Sequence, residues 1–195
     1  YFSLGGHDYE IVDLPGTYSL SVIGDNCAID ECIACNYLIT NPPDLVINVV
    51  DASNLERQLY LTAQLLEMQI PVVVALNMMD MAKRRGIHID IAQLSRSLHC
   101  PIISLTAIHG FGIAELRRAL LVIPQTNSTL PYSFAPLLQG ALQTLTEKLA
   151  PKNLPRPWLA LRLLEEDRLA RHYTSAEELS HVTVLIQQLK NQCGE

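Results

Sequence analysis

Apolar and polar positions along the chain fall into short blocks that alternate between two periods. Residues 7–12 (HDYEIV) predict a strand that stops at Asp13-Leu14-Pro15-Gly16, and a polar loop follows through Asp25. Residues 1–4 predict the tail of a strand that pairs with it. Residues 30–39 predict a helix halted ahead of Asn41-Pro42-Pro43, because the residue before a proline disfavours the helical region. Residues 44–50 (DLVINVV) and 71–76 (PVVVAL) are continuous apolar runs rich in β-branched residues, the pattern of buried parallel strands.

Between them, Ser53-Asn54-Leu55-Glu56 has the spacing of a capping box, and the leucines that follow recur at helical spacing. Asp90 predicts the cap of a short helix through Leu98, 101–105 a third apolar strand, and 113–122 a helix. Strand and helix in alternation imply a parallel α/β sheet with helices on both faces.

The pattern changes after Ile123. Residues 124–131 are rich in Pro, Ser, Thr, Asn and Gln and predict a linker. Only helices follow, over 135–149, 157–167 and 175–191, with Pro157 in a first turn and Ser175-Ala176-Glu177-Glu178 as a second capping box. Trp158 and its leucines predict the core of this part. The expected division is therefore an α/β domain over 1–127 and a small all-α domain over 128–195.

Composition adds limits. The chain has 195 residues, 49% of them hydrophobic, which suits an ordered globular fold. The formal net charge is −6, and all of it falls in residues 1–127 (7 Lys+Arg, 13 Asp+Glu), while 128–195 carries 7 of each. No basic footprint for nucleic acid is present. The longest apolar runs, 45–50 and 70–76, fall well short of the ~18 residues a membrane span needs. Cys32 and Cys35 form a lone CxxC, read as two small apolar residues on one helical face. The six His are scattered, and Lys83-Arg84-Arg85 predicts a solvated basic loop.

Candidate chemistry collects in three loops, each after a predicted strand, where open α/β sheets bind ligands. Asp13 can hold the water shell of Mg²⁺, and Gly16 lets a backbone N–H approach a terminal phosphate. In Asn77-Met78-Met79-Asp80, the Asp80 carboxylate can accept two N–H bonds from a guanine edge, and the Asn77 amide can tie the loop to its neighbours. At Thr106-Ala107 a backbone N–H can donate to the base carbonyl.

DLPG, NMMD and TA resemble the third, fourth and fifth nucleotide-binding motifs of the Ras-like GTPases. VDLPGTYSL, the run from Pro43 to Ala82 and the helical tail resemble the cytosolic N-terminal region of bacterial FeoB-type ferrous iron transporters. The resemblance implies a P-loop GTPase sheet followed by a helical regulatory domain. It implies GTP/GDP and Mg²⁺ as ligands and slow GTP hydrolysis that regulates or gates Fe²⁺ uptake. Asp80 would read guanine, Asn77 support its loop, Met78 pack on the base, and Thr106 and Ala107 close the base pocket. Asp13 would serve Mg²⁺ through water and Gly16 the γ-phosphate.

Thr17 stands near the γ-phosphate where relatives carry a water-orienting Gln, and is too short for that task, so the catalytic residue stays unassigned. The Gly-x-x-x-x-Gly-Lys phosphate loop does not occur in the chain, and the expectation is that the chain starts downstream of it. Further implied partners are a C-terminal transmembrane domain of the same protein, a second copy of the chain and small accessory iron-transport proteins. The implied location is the cytoplasmic face of the bacterial inner membrane. Two rival readings are a soluble ribosome- or tRNA-associated GTPase, opposed by the charge, and a non-enzymatic nucleotide-sensing interaction module. The helical domain is expected to sense the loop over 17–26.

Overall fold

A computed structural model describes residues 1–21, 28–122, 133–150, 152 and 154–193. The expected linker over 124–131, the expected boundary at 127/128 and positions 22–26 of the expected sensing loop lie outside the described residues. The chain divides into two compact units, Tyr1–Ser19 with Asn41–Pro131, and Leu20–Thr40 with Tyr132–Glu195. The segment Leu20–Thr40 thus groups with the C-terminal helices, a placement that linear reading of 1–127 and 128–195 does not anticipate.

The first unit opens on a hairpin. β1 (Phe2–Leu4) pairs antiparallel with β2 (His7–Tyr9), as expected, and Phe2 stacks on Tyr9 at 5.0 Å between ring centroids. Gly5 and Gly6 form the turn at φ 60° and 81°, the pair of left-handed residues a two-residue hairpin needs. β2 stops at Tyr9 rather than Val12, and Ile11 and Val12 are exposed.

A separate three-stranded parallel sheet holds β3 (Val46–Asp51), β4 (Val72–Asn77) and β5 (Ile102–Ser104) in that order. β4 is central, and Val72–Leu76 are at most 2% exposed, as the apolar run predicts. β3 departs from the fully buried reading. Val50 is 1% exposed but Val49 is 63% exposed, so one face of this edge strand is uncovered among the described residues. On the other face lies α2 (Leu55–Glu67), where Asn48 Nδ2 donates to Thr62 Oγ1 at 2.8 Å and satisfies a buried polar pair.

Entry to α2 is also not as expected. The Ser53/Glu56 capping box does not form. Asp51 caps instead, Oδ1 accepting from Ser53 N at 2.7 Å to open a 3₁₀ turn (Ala52–Asn54). α3 (Met79–Arg84) directly follows β4, a helix the sequence reading placed in a loop. α4 (Ile91–Leu98) carries the expected Asp90 cap, with Oδ1 accepting from Gln93 N at 2.8 Å. Strands in sequential parallel order require both crossovers to run the same way, and right-handedness places α2 and the α3–α4 pair on one face. α5 (Ile113–Ala119) completes the unit.

In the second unit, α1 (Ile29–Thr40) joins α6 (Pro136–Lys148), α7 (Arg156–Leu164), α8 (Arg168–His172) and α9 (Ala176–Cys193). On α1, Cys35 is wholly buried with Ala34, Leu38 and Ile39. α7 is buried from Trp158 to Leu163, with Trp158 2% exposed. The single helix expected over 157–167 breaks because Glu166 adopts φ 60° and Asp167 caps α8, Oδ1 accepting from Ala170 N. The Ser175 capping box forms in both directions, Ser175 N to Glu178 Oε2 and Glu178 N to Ser175 Oγ. No described helix is long and apolar enough to cross a membrane.

Candidate functional site

The strand register brings the site together. Asp51 lies opposite Asn77, and Leu76 opposite Ser104, so β3, β4 and β5 release their chains at one level. Beyond this level stand the NMMD and TA segments.

Asn77 is the last residue of β4, and its Oδ1 accepts from Ala107 N at 3.0 Å. The predicted tie between two loops is therefore formed, and Met79 N donating to Leu105 O at 3.2 Å reinforces it. A backbone N–H of Thr106-Ala107 was expected to meet a base carbonyl; here the Thr106 N–H goes to Phe111 O, and the Ala107 N–H is engaged as well. That N–H is taken by Asn77. The next one, of Ile108, donates to nothing among the described residues.

Met78 sits at φ 60°, ψ 33°, the left-handed region, and is 41% exposed. This backbone costs a non-glycine residue about 1–2 kcal/mol, and it turns the chain sharply from β4 into α3 while leaving the Met78 side chain in solvent. Asp80 follows in the first turn of α3, half-buried, with no hydrogen-bond partner among the described residues. Its carboxylate retains its acceptor capacity. Thr106 is buried and starts a second 3₁₀ turn (Ala107–His109), and Thr106 N donates to Phe111 O at 3.1 Å, closing the loop onto itself. Gly112 makes that closure, since a Cβ there would lie 2.1 Å from Ser104 O.

Asp13 and Gly16 lie in the extended segment after β2. Both are exposed, and neither takes part in a hydrogen bond among the described residues. The Asp13 carboxylate is thus a free hard-oxygen donor, which suits a cation that keeps much of its water shell. A Cβ on Gly16 would meet nothing within 4 Å, so the space above this backbone is open. Thr17 does not offer a free hydroxyl. Its Oγ1 donates to Ser19 O at 2.6 Å and accepts from Ser19 N at 3.2 Å in a local turn. No hydrogen bond among the described residues joins residues 13–17 to the Asn77 and Thr106 loops.

Sequence reasoning missed two contributors. Asp51 ends β3 and holds its loop with both oxygens, Oδ2 accepting from Asn54 Nδ2 at 2.7 Å. Partial burial would raise its pKa. The Ser53 N–H, the Asn54 amide, the Ser53 hydroxyl and the charge of Arg85 outweigh that and hold it below the usual carboxylate range. Arg85 is the C-cap that follows α3 and donates from Nη1 to Ser53 Oγ at 3.2 Å. It pins the helix that carries Asp80 to the β3 loop, so 83–85 is not simply a solvated basic loop. A carboxylate directly after the apolar run 44–50 was the available signal for Asp51. Nothing in the sequence marked Arg85.

Among the described residues no three His, Cys, Asp or Glu side chains converge as a metal site. Among the described residues, Cys32, Cys35 and Cys100 form no disulfide.

Comparison with known proteins gives a consistent pattern. Residues 1–120 match the family described as ferrous iron transport protein B, and residues 134–195 match the FeoB cytosolic helical domain. The Fe(2+) transporter FeoB of Escherichia coli is 44% identical over all of this chain, which spans 25% of that protein's length. The cytosolic domain of L. pneumophila FeoB superposes with a TM-score of 0.81 at 39% identity, over 96% of this chain and 81% of that one. NFeoB from S. thermophilus bound to GDP.AlF4⁻ and K⁺ superposes with a TM-score of 0.81 at 32% identity, over 94% of this chain and 72% of that one.

Proposed function

The chain belongs to the ferrous iron transport protein B family, and from that premise we propose that it is the guanine-nucleotide-binding, GTP-hydrolysing cytosolic part of an Fe²⁺ membrane transporter. The observation that carries this reading is the Asn77 Oδ1–Ala107 N–H bond beside an unpartnered Asp80. It presents one free carboxylate at a fixed place between two strand ends. Guanine offers two adjacent N–H donors to such a carboxylate, and adenine does not.

The residues then divide the work. Asp80 accepts from the base edge. Asn77 orients both loops, and the apolar Met78 side chain covers the base. The free Ile108 N–H is the donor placed to meet a base carbonyl, with Ala107 held back by Asn77. Thr106 closes the pocket through its bond to Phe111. Gly16 admits a phosphate to its backbone, and Asp13 holds Mg²⁺ through water. The metal supplies charge neutralisation on the phosphates. Thr17, already turned onto Ser19, shapes the loop and does not orient the attacking water. Hydrolysis is accordingly slow. The transported Fe²⁺ is cargo for a transmembrane domain of the same protein, and the nucleotide domain regulates its passage. The division into a nucleotide part over 1–127 and a regulatory part over 128–195 belongs to the same proposal.

Calorimetric titration of the full-length protein with GDP and ADP tests the reading. Binding of GDP with none of ADP supports it. Equal affinities, or none for either, refute it.

A further inference from the structure

The first turn of α2 lies at the electropositive end of the helix dipole, and its N-cap, Asn54, makes no side-chain bond to the first amides. An acidic side chain such as Glu56 suits that end. Arg57, beside it in the same turn, does not. Its charge is not offset by an ion pair either. Arg57 is exposed and makes no hydrogen bond or salt bridge among the described residues. One contact accounts for its place. The guanidinium carbon lies over the ring of Tyr18, 3.9 Å from the centroid, where the negative face of the π-system attracts a cation.

Tyr18 stands two residues past Gly16, and both belong to the same compact unit as α2. The segment from Ile11 to Tyr18 contains no strand or helix to hold it. Its hydrogen bonds among the described residues are the two between Thr17 and Ser19, which stay inside the loop. The Tyr18 ring is 51% exposed, so burial does little to fix it. The cation over its face is therefore the polar interaction that ties this loop to the frame of the nucleotide unit. Asn77 and Asp80 sit on another loop with supports of their own. Hold on the base and hold on the last phosphate thus rest on different contacts.

We infer that Arg57 is a positioning residue for the terminal phosphate: by holding Tyr18 against α2 it fixes the backbone at Gly16, so that discrimination between GTP and GDP depends on this cation–π pair and affinity for the base does not. This rests on the guanine-nucleotide reading above. Arg57 itself touches neither nucleotide nor metal in this role.

The experiment uses full-length protein: wild type, Arg57→Gln, Tyr18→Leu, the double variant, and the conservative changes Tyr18→Phe and Arg57→Lys. Affinities for GDP and for a non-hydrolysable GTP analogue are measured by displacement of a fluorescent GDP. Both side chains are exposed, so the variants fold, and thermal melting checks this. Arg57→Gln and Tyr18→Leu should each bind the GTP analogue roughly 2–5-fold more weakly with GDP affinity unchanged. The double variant should lose no more than either single one, because one interaction is removed in all three. Tyr18→Phe keeps the ring face and should match wild type, and Arg57→Lys keeps the cation and should recover part of the loss. Equal weakening of both nucleotides, no change in either, or losses that add in the double variant would overturn the inference and leave the nucleotide reading standing. Wild-type protein that binds no guanine nucleotide overturns both.

Discussion

Gly112 offers the sharpest test of the site's construction. It sits at φ 82°, where any L side chain is strained, and an added Cβ would lie 2.1 Å from Ser104 O, 2.7 Å from Leu105 Cδ2 and 3.1 Å from Ser104 C. Ordinary contact begins near 3.4 Å, so the carbonyl at the end of β5 would have to retreat by more than an ångström. Gly110, two residues earlier, has a similar φ of 72° but nothing within 4 Å of its added Cβ. The pair separates two effects. Gly110→Ala incurs only the left-handed backbone, about 1–2 kcal/mol. Gly112→Ala incurs that plus overpacking of about 1–3 kcal/mol, for a total of about 2–5 kcal/mol. Urea unfolding of both variants measures the difference directly. Gly112→Ala should also weaken nucleotide binding, because Ser104 leads straight into Thr106 and the Ala107–Asn77 bond. Equal loss of stability in the two variants would refute this account of how the loop closes.

Three further outcomes are expected. Asp80→Asn replaces an acceptor with a donor, so binding should pass from GDP to xanthosine diphosphate, whose base carries a carbonyl where guanine has its amino group; retained preference for GDP in a competition assay would count against Asp80 as the base reader. Asn77→Ala leaves the Ala107 N–H without its partner, and a loss of about 1 kcal/mol corresponds to roughly 5-fold weaker GDP binding by calorimetry. Glu178 connects stability to pH. Burial would raise its carboxyl, but Lys152 at 2.8 Å, the N–H groups of Ala150 and Ser175 and the Ser175 hydroxyl outweigh it and bring it from 4.5 to about 2. A lowered carboxyl stabilises fully above the unfolded value near 4.5 and loses that contribution as pH falls towards 2, at most about 3 kcal/mol. Melting followed by circular dichroism from pH 7 to pH 3 should fall less steeply in Glu178→Gln than in wild type.

What the sequence disclosed and what it hid have physical reasons. The run PVVVAL was legible as β4 because a strand buried on both faces has no polar residue to interrupt it. The run in β3 is nearly as apolar, broken only by Asn48, yet half of it is exposed, since composition cannot tell a central strand from an edge. The Asn77–Ala107 tie was foreseeable because an amide at a strand end has few other partners within reach. Which N–H remained free for a base was not, since that depends on an ångström of loop path. The Ser53 box failed against the nearer Asp51 carboxylate, a competition between two good caps that spacing alone does not decide. α3 went unseen because it is six residues long and begins on a left-handed methionine. The grouping of Leu20–Thr40 with the C-terminal helices is a tertiary fact, and so is the contact of Arg57 with Tyr18.

The shared level at which β3, β4 and β5 end also governs how this chain can change length. One residue inserted within Val72–Asn77 would turn every following side chain to the opposite face, and would lift Asn77 off the rung it shares with Asp51. The stretch 106–112 is equally intolerant, because Thr106 and Phe111 close on each other across a fixed span. Residues 86–88, between α3 and α4, are exposed, and Gly86 has open space around it. Insertions and deletions among related chains should therefore collect between α3 and α4, and tags or reporter domains placed there should leave the three strand ends in step.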